Sequence, residues 1–368
     1  DLATNFAFTG SALTLNGSGN TVGGTFEVTN GGTFTTADAA DVTVVGEFIQ
    51  NGVGSSVIGA DLTSSADGFS FATNVTLSGT DAIRIQTGEG AGDDVVITGT
   101  LTGVDDDLTL DAGGSGNVTL TGAVNLGTGS LTIVDANQVV FGSTLSAASF
   151  TQSAGTTSTT IGGVLTLTGV FDFTGSALTI SGSGTNDVDG SMTVTNAGVF
   201  TLSENAVLTP GGAFVQNGAG SNVIGENITG GSSILFTRAV VLTSGVADDV
   251  IVFTSGGGAG QDITFSSTLD NADNESVTFD AGAAGDITVS GALGDLGTGD
   301  IRVVNAADVT FSATVDADNF TQVAGTGTTT FSGVLDLATN FAFTGNALTI
   351  VGIGTSVIDG TMTVTNAG

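Results

Sequence analysis

The chain has 368 residues, 60 of them Gly and 40% hydrophobic, with one Pro and no Cys, His, Trp, Tyr or Lys. Its 36 acidic side chains face only three basic ones, Arg84, Arg238 and Arg302, for a formal charge of −33. A surface without Lys and Arg clusters argues against nucleic-acid phosphates and anionic lipid as partners. The missing His, Cys and Lys remove Ser–His, thiolate, Schiff-base and imidazole–metal chemistry.

The apolar residues are mostly Val, Ile, Leu, Ala and Phe, interleaved with Thr and Ser, which predicts a folded, strand-rich chain and not an acidic disordered tail. No uninterrupted apolar stretch reads as a membrane-spanning helix, and no membrane insertion is expected. Zero cysteine is neutral on compartment, because a stacked array gains its core from length and can omit disulfides.

One stretch occurs three times, at nearly equal intervals: FAFTGSALTLNGSGNTVGGTFEVTNGG from Phe6, FDFTGSALTISGSGTNDVDGSMTVTNAG from Phe171 and FAFTGNALTIVGIGTSVIDGTMTVTNAG from Phe341. The chain therefore divides into long units over about 6–170, 171–340 and 341–368, the last being the opening of a third copy, and reads as an excerpt of a longer array. Within each unit an apolar–Thr–apolar triplet recurs between Gly, Asn, Asp or Ser turns. Leu13-Thr14-Leu15, Val42-Thr43-Val44, Val75-Thr76-Leu77, Leu108-Thr109-Leu110 and Leu131-Thr132-Ile133 are examples. Such short period-two segments predict strands and almost no helix.

Comparable segments begin near Phe6, Asn30, Phe48, Ala66, Ile83, Asp107, Leu131 and Phe150, and in the second unit near Phe171, Thr195, Phe214, Ser232, Val250, Glu275, Ile301 and Phe320. This predicts eight turns per unit, each of roughly 20 residues and three strands, hence an all-β parallel solenoid of about 17 turns running through 1–368. At about 4.8 Å per turn one unit should advance about 38 Å. Phe150 and Phe171 start adjacent turns, so their rings are expected to stack inside the coil. Gln50, Gln152, Gln216 and Gln322 each follow a Phe by two positions, which puts them on the inner side, where their amides need partners such as corner backbone groups. A flat ice-binding Thr face would require equal turns and paired outward Thr. The unequal spacing and single Thr residues favour Thr as an ordinary exposed β-former.

Only carboxylates remain as chemistry. Paired acids suffice for glycoside hydrolysis, but that needs one unique cluster, whereas these features recur from unit to unit and no Trp or Tyr platform exists, so the chain is not expected to be an enzyme. Acidic corners are the second possibility: Asp81, Asp93, Asp94 and Asp105-Asp106-Asp107 in the first unit answer Asp248, Asp249, Asp262, Asp270, Asp273 and Glu275 in the second. Oxygen donors in loops are what Ca²⁺ requires, which makes Asp93, Asp94, Asp105, Asp106, Asp107, Asp262 and Asp273 the calcium candidates. The string GGAGQD at 257–262 partly follows the Gly- and Asp-rich nonapeptide of calcium-binding β-rolls, but Thr264 stands where that pattern wants a large apolar residue, and Asp93 is answered by Gln261. Solvated acidic loops without a metal are the competing reading, and no other cofactor is expected.

The strings VTLTGAVNLGTGSLTIVDANQVVF, FTQSAGTTSTTIGGVLTLTG and ITFSSTLDNADNESVTFDAGAAGDITVSGAL resemble the β-strand repeats of giant bacterial surface proteins, including filamentous-haemagglutinin-like adhesins and autotransporter passengers. The resemblance lies in composition and cadence over the whole chain. It implies a right-handed parallel β-solenoid in a long extracellular or cell-surface polypeptide, serving as a structural filament component. The alternative is a calcium-stabilised adhesin shaft or a glycan- or partner-binding module. Implied partners are the continuing array, further copies of the chain end to end or side by side, and cations.

Overall fold

The computed structural model describes residues 1–245, 249–272, 274–294, 299–352 and 354–366. Among these residues there are 49 strands of two to eight residues and no helix, so none is long and apolar enough to cross a membrane. The triplets form strands because their β-branched and aromatic residues alternate inward and outward. Val42–Val44, for example, buries both valines and exposes Thr43.

Two compact units are present, Asp1–Gly182 and Ser183–Gly368. In the first, every strand pairs in parallel with the third strand along the chain, which generates three ladders. One runs from Phe6–Gly10 through Phe26–Asn30 and Phe48–Gln50 to Ala177–Ile180. The next runs from Leu13–Leu15 to Leu165–Leu167, and the last from Asn20–Val22 to Phe171–Gly175. The second unit follows the same rule, with ladders from Gly184–Val188 to Met362–Asn366, from Met192–Asn196 to Ala347–Ile350, and from Phe200–Leu202 to Val357–Ile358. In the last of these Leu293 bridges Leu269 and Val315 as a single residue where a strand would otherwise stand. The fold is thus an all-β parallel solenoid, with about 17 turns in the two stacks together.

The core is a set of internal columns. Phe150 and Phe171 stack at 4.9 Å between ring centroids and 27°, as their spacing predicts, and Phe236 and Phe265 do so at 5.2 Å and 10°. Each such contact adds about 0.5–1.5 kcal/mol beyond area burial. All four Gln are buried. Gln50 Nε2 donates to Asn30 Oδ1 (2.7 Å), Gly52 O (3.1 Å) and Gly54 O (2.9 Å), so a side-chain amide ties the corner to the turn before it. Gln216 repeats this with Asn196 (2.7 Å), Gly218 and Gly220. Gln152 and Gln322 instead accept from Thr159 and Thr329, both at 2.7 Å.

The long repeat does not hold eight turns. Phe6–Gly10 opens the first strand and Phe171–Gly175 the twenty-fourth, a step of 23 strands, or seven and two-thirds turns. Their identical FTG strings therefore sit on different ladders of the first unit. In the second unit Met192–Asn196 and Met362–Asn366 are likewise 23 positions apart once Leu293 is counted, and they too lie on different ladders. The interval from Ala66 to Ile83, a full turn by its spacing, covers only two strands: Phe69 pairs onward with Val95, and Ile83 belongs to another ladder. The same happens in the second unit, where Ile234 pairs with Ile263 while Val250 lies on a different ladder. Extra residues in these turns enlarge the corners and leave the strands in register.

Candidate functional site

The acidic corners are built by the loops that join these strands, and most of their carboxylates face backbone N–H groups. Asp93, 7% exposed, accepts the Gly90 N–H at 2.8 Å and returns its own N–H to the Gly90 carbonyl at 3.2 Å. Gly92, at a φ of 96°, closes the loop in a conformation that other residues avoid. In the second unit Gln261 Oε1 accepts the Gly258 N–H at 2.6 Å and Gln261 N donates to the Gly258 carbonyl at 3.0 Å. A neutral amide makes the same turn, so the loop needs an oxygen acceptor there and not a charge.

Asp94 Oδ1 accepts both the backbone N–H (2.7 Å) and the side-chain amide (3.1 Å) of Asn117, one turn on. Asp107 Oδ1 accepts the Ser130 N–H at 2.7 Å. Asp262 begins a vertical series: it accepts the Asp286 N–H (2.9 Å), Asp286 the Asp308 N–H (2.9 Å), and Asp308 the Thr328 N–H (2.6 Å). Each carboxylate satisfies a donor that the corner would otherwise leave without a backbone acceptor. Glu275, 1% exposed, does the same inside the second unit, accepting the Ser244 N–H at 2.9 Å.

Asp105 and Asp106 line a cleft of about 360 Å³ with Asp81, Asp107, Gly79, Thr80 and Ala82. Asp106 is 6% exposed. Burial raises its pKa from the ordinary 3.8, and the neighbouring Asp105 charge adds to the shift, while backbone hydrogen bonds at Val104 and Gly79 oppose it. This cleft is the one place where the sequence-derived candidates Asp105, Asp106 and Asp107 come together. Asp93, Asp94 and Asp262 are engaged at other corners, and Asp273 lies outside the described residues. Among the described residues no group of three acidic side chains is arranged to hold a metal ion. Sequence reasoning places the acids at corners but does not reveal their acceptor role, since an Asp one turn away from the N–H it accepts carries no local motif.

Arg84 forms an ion pair with Asp111 at 2.7 Å across one turn. No protein-family profile, characterised protein or solved structure matches the chain.

Proposed function

We propose that this chain is a structural component of an extracellular or cell-surface filament, built from tandem solenoid repeats and without catalytic activity. One observation carries the reading: the chain's distinctive polar groups hold one turn to the next. The Gln50 and Gln216 amides, the carboxylates of Asp94, Asp107, Asp262, Asp286 and Asp308, and the Asn51 side chain, which bonds both Thr29 and Glu27 from the preceding turn, all run along the stacking direction. A chain organised in this way gains stiffness and length from each added turn. Acidity keeps such bodies apart and soluble.

Electron microscopy of the assembled native material tests this. Filaments with a layer spacing of about 4.8 Å along their axis are the expected result, and globular particles with no axial repeat would rule the reading out. A calcium-stabilised shaft is the second reading, favoured only by the Asp81 and Asp105–Asp107 cleft. It predicts loss of heat resistance in a chelator.

A further inference from the structure

In the second unit the outer side of one ladder is hollowed. Strands Val250–Thr254, Ser276–Asp280, Ile301–Asn305 and Phe320–Gln322 pair in parallel, and their outward residues line a groove of about 570 Å³. Register sets Val252 beside Thr278, Thr278 beside Arg302, and Arg302 beside Thr321. Val250, Val252 and Val304 give the groove an apolar floor, and Asp280 and Asp300 stand on its lining. Four strands about 4.8 Å apart make a floor about 14 Å long.

The groove marks a departure from the repeat. In the first unit Arg84 donates to Asp111 at 2.7 Å. Asp280 holds the place of Asp111, and both turn Oδ1 to the N–H of the Gly two positions on, Gly282 at 3.1 Å and Gly113 at 3.3 Å. Val252, however, stands where Arg84 stands, and the arginine has moved two strands along the ladder, to position 302. There Arg302 is exposed, and its guanidinium makes no ion pair or hydrogen bond among the described residues. A guanidinium without a protein partner, next to apolar floor and hydroxyls, is the arrangement that takes a carboxylate in bidentate fashion.

We propose that this groove binds a saccharide carrying a single carboxylate, its acid on Arg302, the C–H face of a ring on Val252 and Val304, and its hydroxyls toward Thr278 and Asp300. A polyanion is disfavoured because Asp280, Asp300 and the chain's net charge of −33 repel further negative groups. The polar rim is equally unsuited to a fatty acid. This site is independent of the structural reading, which stands or falls without it.

The test is binding of sialyllactose, lactose, polygalacturonate and an acetylated Glu-Glu peptide to the full chain, followed by calorimetry and NMR. Sialyllactose should bind roughly tenfold or more tightly than lactose, the difference of one charged hydrogen-bonded pair. Arg302→Gln should erase that preference, Arg84→Gln in the other unit should leave it, and Val252→Arg, which fills the groove and offers Asp280 a partner, should abolish binding. Circular dichroism reports that each variant is folded. Equal binding of lactose, retention of the preference in Arg302→Gln, tighter binding of polygalacturonate or of the peptide, or no binding of sialyllactose would each overturn the proposal.

Discussion

Gln50 and Gln152 occupy the same position in the Phe-x-Gln string, yet they make different sets of bonds. Gln50 donates three and its Oε1 accepts from Thr73, whereas Gln152 Nε2 donates to Ala154 O and its Oε1 accepts from Thr159. Gln50→Leu leaves Asn30 Oδ1 and two corner carbonyls without this donor and should cost about 2–4 kcal/mol, while Gln152→Leu should cost about 1–2 kcal/mol. Urea denaturation of the two variants measures the difference. Asp106 offers a pH prediction. Its folded pKa is raised above the ordinary 3.8, so its contribution to stability is fully present below that value and is lost as pH rises through the raised one. Asp106→Asn should therefore show less gain in melting temperature on acidification than the parent chain, and a larger gain would contradict the burial argument. At this scale inward Phe and Gln are legible in the sequence because alternation fixes side. The corner carbonyls of Gly52 and Gly54 are the kind of partner the sequence leads one to expect, whereas Asn30 is not, since it lies 20 residues from Gln50 and meets it only once the turns stack.

Corners are the elements that vary, and strands are the elements that persist. The series Asp262, Asp286, Asp308 shows how a corner is held: each acid accepts an N–H from the next turn. The contrast between Asp93 and Gln261 turns this into a test. Asp93→Gln should leave the melting temperature unchanged both with and without calcium, whereas a calcium ligand at this position would make the variant insensitive to the ion and less stable in its presence. Strand positions can be read from the triplets, and the acidic corners from composition. One surface pattern escapes both. Outward Thr264, Thr288, Thr310 and Thr330 form one column, and each is followed two positions later by an exposed Ser: Ser266, Ser290, Ser312 and Ser332. Unequal corners shift these strings in sequence, while register keeps them level in space.

At the scale of the whole molecule, charge is the dominant long-range term. With a net charge of −33, folding brings like charges together, so stability should rise with ionic strength, most steeply up to physiological salt, where the Debye length is about 8 Å. NaCl and CaCl₂ matched for ionic strength should give closely similar melting temperatures if the carboxylates act as backbone acceptors. A large excess stabilisation by CaCl₂ would favour the calcium-stabilised shaft. The parallel solenoid and its period are visible in the sequence, because a repeat of Phe, Gln and Asn strings is hard to hide. The total of about 17 turns is legible as well, but the seven and two-thirds turns of one repeat are not, because two strands joined by long corners span nearly as much sequence as three joined by short ones.

Because each strand pairs with the third one after it, pairing depends on neighbours in order and not on the total in a repeat. A repeat of 23 strands is as admissible as one more strand would be. Duplication or loss of a whole copy by recombination would leave each strand next to the kind of neighbour it already has. Removing residues 171–340, for instance, joins Val170 to Phe341-Ala342-Phe343 in place of Phe171-Asp172-Phe173, and the shortened chain should fold with an unchanged strand signature by circular dichroism. By this pairing rule the number of copies can change while the order of pairing on either side of the seam is kept.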